Sequence, residues 1–248
     1  MEKQLKNGPL EGIRVIELGV LLAGPFAGQL MGDMGAEVIK VELPGQGDPI
    51  RKWGRELIKG QSLWWTVVAR NKRSITLNLR VPEGQEILKK LIAEADILVE
   101  NFRPGTMEKW GMGYEELKKI NKKLIMVRVS GFGQTGPYSH RAGYGAIGEA
   151  MGGLRHVVGE PDRPPSRVGI SIGDSLAASH ATLGALAALR ARDITGEGQM
   201  VDCAIYEAVL TMMESLVAEY HKTGFVRQRS GSRLPKIAPS NAYPTKNG

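Results

Sequence analysis

Short apolar runs alternate with longer amphipathic segments along most of the chain. The short runs are rich in β-branched residues, and some alternate apolar with polar positions, as a half-buried strand does. They are bounded by glycine, proline and polar residues that are typical of turns. The predicted strands are residues 12–18, 37–42, 74–79, 96–100, 124–129 and 200–205.

The segments between these strands predict helices. Pro82 occupies the favoured first position of one helix, and its predicted buried stripe is Ile87, Leu88, Leu91 and Ile92. The other predicted helices are residues 24–34, 62–70, 114–120, 144–151, 176–189 and 207–220. Strands that alternate with helices at this spacing indicate an α/β fold, in which helices flank a parallel sheet.

Loops at the carboxyl ends of the strands are the expected ligand-binding positions, because ligands of open parallel sheets bind there. Several of these loops carry a positive charge or an aromatic residue. They are residues 20–23, 43–48, 80, 101–103 and 130–144. The glycine- and proline-rich stretch 131–173 predicts a long loop region, and the basic stretch 223–248 is irregular.

Composition narrows the class of partner. The 248 residues are 42% hydrophobic and 24% charged, as in soluble globular proteins. A net charge of +7 favours anionic partners, but the basic residues are dispersed, which favours a small phosphorylated molecule over nucleic acid. Residues 1–8 are polar and the apolar stretch 18–31 is too short to cross a bilayer, so we expect neither signal peptide nor membrane span.

The single cysteine and the histidines argue against disulfide and metal chemistry. Cys203 lies in an apolar run, which favours a core position, and one cysteine suits a reducing, cytoplasmic location. The four histidines show no metal-ligand spacing with one another or with Cys203, so no metal site is expected. The chain has no Walker A sequence and no G-x-S-x-G elbow.

A G-x-G-x-x-G pattern at residues 131–136 follows a predicted strand. A dinucleotide fingerprint must also begin a helix, so that the helix N-terminus receives the pyrophosphate. Pro137 and a polar tripeptide follow instead. We therefore interpret the pattern as a glycine-rich loop.

Asp174 is the strongest candidate for chemistry. It follows an apolar run and Gly173 and precedes the small-residue helix 176–189, which predicts an N-cap position. The positive end of the helix dipole should keep this carboxylate ionised. Asp174 could simply cap the helix, or it could act as a covalent nucleophile toward an activated acyl group. His180 lies six residues later, on a different helix face, so the two do not form an acid–base pair.

Five motifs together resemble CoA-transferase family III, also called the CaiB/BaiF or formyl-CoA transferase family. They are LAGPF at 22–26, GDMGAEVIKVE at 32–42, NKRS at 71–74, VENFRPG at 99–105 and GFGQTGP at 131–137. The match runs in order from Leu10 to the end of the chain. Gly173-Asp174-Ser175 matches the Gly-Asp step that carries the family's nucleophile.

The resemblance implies a fold and a reaction. The expected fold is the N-terminal, Rossmann-like portion of an interlocked homodimer, with a large domain over residues 1–224 and a linker over 225–248. The linker would lead to a smaller domain that is absent from this chain. The expected reaction moves CoA from an acyl-CoA to a small carboxylic acid through an aspartyl anhydride and an aspartyl-CoA thioester on Asp174. No permanently bound cofactor is implied, because CoA and acyl-CoA are substrates.

The resemblance also implies the contacts of CoA. Leu22 and Ala23 match residues at the adenine end, and Tyr144 matches a tyrosine near the acyl group and pantetheine. Further contacts, with the basic members facing phosphates, match Leu77, Arg80, Asn101, Phe102, Arg103 and Lys109. Two positions depart from the family pattern: Leu43 replaces a basic residue of some members, and Gly145 replaces an acidic residue of many.

Two other functions stay open on the sequence. A non-catalytic acyl-CoA binding module would keep the CoA contacts without using Asp174 as a nucleophile. An acyl-CoA racemase on the same fold would need acid–base residues instead, and no His-Asp pair lies near Asp174 in the sequence. The identities of the donor and the acceptor do not follow from the sequence.

Overall fold

A computed structural model describes residues 8–55 and 57–247. Residues 1–7, within the stretch where no signal peptide is expected, lie outside the described residues. The strands are β1 Arg14–Glu17, β2 Glu37–Glu42, β3 Leu57–Ile58, β4 Gln61–Ser62, β5 Lys72–Thr76, β6 Ile97–Glu100, β7 Ile125–Ser130 and β8 Met200–Ala204. The helices are α1 Ala23–Asp33, α2 Leu63–Val68, α3 Pro82–Ile92, α4 Thr106–Lys109, α5 Tyr114–Ile120, α6 Gly145–Met151, α7 Leu154–Val157, α8 Ile172–Thr195, α9 Ile205–Leu210 and α10 Leu216–Thr223.

Six of the strands form one parallel sheet in the order β5-β2-β1-β6-β7-β8. Strands β3 and β4 form a separate antiparallel hairpin. The order of the large sheet reverses between β1 and β6, where Val15 pairs with Ile97. This order is that of a Rossmann-like doubly wound sheet, which confirms the predicted fold class. The reversal opens a crevice beyond the carboxyl ends of β1 and β6.

Two apolar cores cover the two faces of the sheet. On one face, α1 and α8 pack together and against the inward residues of β1, β6 and β7. The contact surface of α8 is a stripe of alanines, Ala177, Ala178, Ala181, Ala185 and Ala188, which lets the helix approach the sheet closely. On the other face, Leu88 and Ile92 of α3 and Leu117 of α5 fill the core. Helix α8 is therefore fixed along its length, and its first turn lies at the crevice.

Several predicted boundaries are corrected by the structure. The predicted helix 207–220 is two helices, α9 and α10, because the chain turns between them and Glu214 takes a left-handed φ of 51°. The helix predicted at 176–189 is longer, Ile172–Thr195, and the residues 168–171 before it form no strand. Of the predicted stripe on α3, Leu88 and Ile92 are buried, whereas Ile87 is exposed. The strand predicted at 74–79 lies at Lys72–Thr76.

The glycine-rich pattern at 131–136 begins no helix, as predicted. Its first glycine instead allows two backbone segments to touch, since a Cβ on Gly131 would lie 2.5 Å from the Cα of Gly143. The loop from β7 thus folds back on itself before α6 begins at Gly145. No helix within the described part of the chain is long and apolar enough to cross a membrane.

Candidate active site

A cavity of about 510 Å³ lies at the crevice where the strand order reverses. Its wall comes from the loops that follow β1, β6 and β7 and from the first turns of α6 and α8. Seven of the sequence-predicted site residues meet here, although the chain separates them by more than one hundred positions. They are Leu22, Ala23, Asn101, Phe102, Arg103, Tyr144 and Asp174.

Asp174 is the third residue of α8, not its N-cap. Ser171 occupies the N-cap position, and its side chain makes no capping hydrogen bond. The prediction of an N-cap is therefore wrong by three residues, because Ile172 and Gly173 already have helical geometry. Asp174 remains in the first turn, partly buried at the wall of the cavity.

Burial, and after it the negative charge of Glu149, together raise the pKa of Asp174 from 3.8 to about 6. The positive charge of Arg167 and the backbone N–H of Asp174 itself act in the opposite direction. Desolvation therefore outweighs the effect expected of the helix dipole on this pKa. At pH 7 a carboxyl group with this pKa is still about nine-tenths ionised.

Gly145 makes room for the carboxylate. A Cβ at this position would lie 2.2 Å from Oδ2 of Asp174, well inside van der Waals contact. Any side chain at residue 145 would force the carboxylate to another position. The departure from the family pattern at Gly145 is therefore matched to the placement of Asp174.

Glu149 lies behind Asp174 with its side chain fully buried. Arg155 Nε donates a hydrogen bond of 2.8 Å to its Oε2, and Oε1 has no hydrogen-bond partner among the described residues. Glu149 is not among the residues predicted from the sequence, although it is the only charged residue in the small and apolar helix GAIGEAM.

Asn101 fixes the loop that follows β1. Its Oδ1 accepts from the N–H of Val20 and its Nδ2 donates to the carbonyl of Val20, each at 2.8 Å. Leu21, the next residue, has a left-handed φ of 64°, and its N–H donates to Oδ1 of Asp48 at 3.1 Å. Each polar atom of the Asn101 amide therefore makes a hydrogen bond to Val20, which holds the loop of Leu22 and Ala23 in place.

A buried network of four charges lies beneath the same loop. Lys40 Nζ is 2.8 Å from Glu17 Oε1 and 2.9 Å from Asp48 Oδ2, and it donates to the carbonyl of Gly19 at 2.8 Å. Lys72 Nζ is 2.6 Å from the other oxygen of Glu17. This network was not predicted from the sequence, although the charged residues within the buried strand EVIKVE indicated that buried ion pairs were needed. Because the buried charges are paired, the network can hold the loop at the crevice in one conformation.

Three predicted CoA contacts lie elsewhere. Leu77 and Arg80 line a second, smaller cavity of about 220 Å³, together with Leu43. Val20 and Phe102 line both cavities, so the two spaces adjoin on either side of them. Lys109 lies outside both, exposed at the end of α4. The structure therefore groups all of the predicted residues except Lys109 around two neighbouring spaces.

Two arginines that the sequence analysis did not name also line the larger cavity. They are Arg141 and Arg167, both within the glycine- and proline-rich region that the sequence predicted as loop. A loop pattern does not reveal which of its side chains face a cavity. Among residues 8–55 and 57–247, no group of three or more His, Cys, Asp or Glu side chains is placed to hold a metal ion.

Known proteins resemble this chain in sequence and in fold. The chain is 61% identical over 248 residues to succinyl-CoA–D-citramalate CoA-transferase of Chloroflexus aurantiacus, covering 100% of this chain and 62% of that protein. It is 46% identical over 242 residues to the beta subunit of succinyl-CoA–L-malate CoA-transferase of the same organism, covering 97% and 60%. A crystal structure of a CaiB/BaiF family protein from Brucella suis superposes with a TM-score of 0.91 at 39% identity, covering 98% and 65%.

The chain thus spans less than two thirds of the length of each of these relatives. The model of the family described as CoA-transferase family III matches residues 10–248. The resemblance that the five motifs carry is confirmed, and the chain belongs to CoA-transferase family III.

Proposed function

We propose that the protein transfers CoA from an acyl-CoA to a carboxylic acid, with Asp174 as the covalent nucleophile. One observation carries this proposal. Among the residues that the structure describes, Asp174 is the only carboxylate that lines the cavity, and it lies at the strand-order reversal where such sheets bind their ligands. Its pKa of about 6 makes the carboxylate more basic than an ordinary aspartate while leaving it mostly ionised at neutral pH.

The proposed reaction proceeds in four exchanges. Asp174 attacks the thioester carbonyl of the donor, which releases the CoA thiolate and leaves an acyl-aspartyl anhydride. The thiolate attacks the aspartyl carbonyl, which releases the donor acid and leaves an aspartyl-CoA thioester. The acceptor carboxylate attacks that thioester, which again releases the thiolate and leaves an anhydride between the acceptor and Asp174. The thiolate then attacks the acceptor's carbonyl carbon in this anhydride, which yields the new acyl-CoA and regenerates Asp174.

The two adjoining cavities support a path for CoA. We propose that Leu22, Ala23 and Leu77 contact the adenine end and that Phe102 contacts the pantetheine arm. Arg80 and Arg103 would bind phosphates, for which exposed guanidinium groups at the rims of the cavities are suited. Tyr144, which is 68% exposed, would contact the pantetheine near the acyl group. Lys109 would reach a phosphate only outside both cavities.

The names of the relatives suggest the class of acyl group. Succinate, citramalate and malate are all small dicarboxylic acids. We propose succinyl-CoA as the donor and a small dicarboxylic acid as the acceptor. The complete protein would act in the cytoplasm as an interlocked homodimer, with residues 1–224 as its large domain. Residues 225–248 would connect to a smaller domain, and the lack of helix or strand over 225–247 supports that role.

Trapping the aspartyl intermediate tests the reaction. The complete protein is mixed with succinyl-CoA and then with hydroxylamine, which converts an activated aspartyl group into a hydroxamate that mass spectrometry locates. We expect the hydroxamate on Asp174, none in Asp174→Asn, and the usual amount in Asp193→Asn, which removes an exposed carboxylate from the far end of α8. A hydroxamate elsewhere would refute the nucleophile. Tight CoA binding without turnover would indicate a binding module, and exchange of the α-proton of a branched acyl-CoA would indicate a racemase.

A further inference from the structure

The larger cavity carries an unbalanced positive charge. Among residues 8–55 and 57–247, Arg103, Arg141 and Arg167 line it, and Asp174 is the single acidic lining residue. Within the described residues, none of the three arginines forms an ion pair. A guanidinium without a protein carboxylate in a concave site is available to an anionic ligand. The position of each arginine in the cavity decides which anion of a ligand it can reach.

Arg167 is the arginine beside the nucleophile. It lies in the loop just before α8, and its positive charge lowers the pKa of Asp174, whereas Arg103 and Arg141 are not among the groups that shift this pKa. Its contact with protein is weak, since its Nη2 is 3.4 Å from the Oγ of Ser171. Arg141 instead stacks on the ring of Tyr138, with 4.2 Å between the guanidinium carbon and the ring centroid. Arg103 lies in the loop after β6, next to Phe102.

The chemistry of an acyl-CoA separates these arginines by task. The pantetheine arm keeps the phosphates of CoA far from its thioester, so a cation beside Asp174 meets the acyl group while Asp174 meets the thioester. A monocarboxylic acyl group, such as butyryl, has no charge to offer. A dicarboxylic acyl group of the same length, such as succinyl, ends in a second carboxylate, which the planar fork of an arginine binds through two hydrogen bonds.

We propose that Arg167 binds the free carboxylate of a dicarboxylic acyl group and thereby selects dicarboxylic over monocarboxylic substrates. This inference rests on the proposed function, because it assumes that the acyl group lies at Asp174. Arg167 is a specificity-determining residue in this scheme. It takes no part in the exchange of bonds.

A second role of Arg167 must be kept apart from selection. Its charge also lowers the pKa of Asp174, so its loss could slow every substrate alike. Measuring binding in an Asp174→Asn background removes this effect, because the asparagine does not titrate and no turnover occurs. Arg167→Gln is compared in that background with Arg163→Gln, which removes an exposed arginine from the same loop but outside the cavity.

The experiment measures the dissociation constants of succinyl-CoA and butyryl-CoA by calorimetry, using the complete protein. We expect the Asp174→Asn protein to prefer succinyl-CoA. Adding Arg167→Gln should weaken succinyl-CoA binding by about ten- to hundredfold, the usual effect of losing a charge-assisted hydrogen bond, and leave butyryl-CoA unchanged. Adding Arg163→Gln should change neither. Arg167→Lys should restore only part of the preference, because an ammonium group cannot form the paired contact.

Three outcomes would overturn the inference. The first is that Asp174→Asn binds succinyl-CoA and butyryl-CoA equally well. The others are that adding Arg167→Gln leaves the preference for succinyl-CoA unchanged, or that it weakens the binding of both ligands equally. Failure of the proposed function gives a different result, namely no hydroxamate on Asp174 in the unaltered protein. A preference for succinyl-CoA that depends on Arg167 would therefore stand as a property of binding even if the transfer reaction were refuted.

Discussion

Replacing Asp174 by Asn should make the protein more stable while abolishing its activity. The structure supplies the magnitude. Burial and Glu149 raise the pKa of Asp174 from 3.8 to about 6, so the folded state holds the ionised carboxylate less favourably than the unfolded chain does. A shift of roughly two units corresponds to about 3 kcal/mol. Asparagine has nearly the same shape and carries no charge, so it removes this cost without opening a cavity.

The sign of the effect depends on pH. Because the pKa is higher in the folded state, the folded protein binds the proton more tightly and the cost is absent below about pH 3.8. The cost grows as the pH rises from there and is complete above about pH 6. We therefore expect the free energy of unfolding of Asp174→Asn to exceed that of the unaltered protein by about 2–3 kcal/mol at pH 8, and by much less near pH 4.

Urea denaturation without CoA measures this difference. Ligand must be absent, because binding to the folded state would add its own stabilisation. The same measurement on Asp193→Asn, which removes an exposed carboxylate from the same helix, should show a change within about 0.5 kcal/mol. Equal stability of Asp174→Asn and the unaltered protein at pH 8 would refute the reasoning. A difference that widens toward low pH would refute it as well.

Three further predictions concern the same crevice. The kcat/KM of the complete protein should fall about tenfold per pH unit below about pH 6, as Asp174 becomes protonated, and a flat profile from pH 5 to 7 would contradict this. Gly145→Ala should lower kcat by about tenfold or more, since its Cβ displaces the carboxylate, with little change in the dissociation constant of CoA by calorimetry. Lys40→Met should destabilise the fold by about 3–5 kcal/mol in urea, because Glu17 and Asp48 lose their buried cation. Arg73→Met, which breaks an exposed pair, should change stability by less than about 1 kcal/mol, and equal losses in the two variants would refute the role of Lys40.

The architecture followed from the sequence because its signals are local. Strand β2 and helix α5 match their predicted bounds, since turn residues flank the first and Gly113 precedes the second. The break between α9 and α10 did not follow, because apolar residues continue through it and the turn depends on the left-handed backbone of Glu214. The local pattern therefore predicts the bounds of an element well where turn residues mark its ends, and poorly where tertiary packing alone determines them.

The candidate site followed from the sequence only in part. Asp174 was singled out by its neighbours in the chain, but its pKa depends on its burial and on Glu149, which belongs to another helix. Resemblance named Asn101 as a CoA contact, whereas the structure engages both of its polar atoms with Val20. Arg167 lies in a loop, and the sequence pattern of a loop does not indicate which of its side chains face a cavity. Each of these features depends on which distant segments meet, and that information is carried by the fold.

The charges around the crevice are divided by depth, and this division limits which parts of a ligand each loop can contact. Below the loop after β1, Lys40 and Lys72 are matched by Glu17 and Asp48, so this layer presents no net charge to a ligand. The loop itself faces the cavity with apolar residues between Val20 and Ala23. The unmatched cations lie on the opposing loops, which carry Arg103, Arg141 and Arg167. A ligand with an apolar group and anionic ends therefore fits with its apolar group, such as an adenine ring, against the first loop and its anions toward the others. An acyl-CoA with a dicarboxylic acyl group has this distribution of charge.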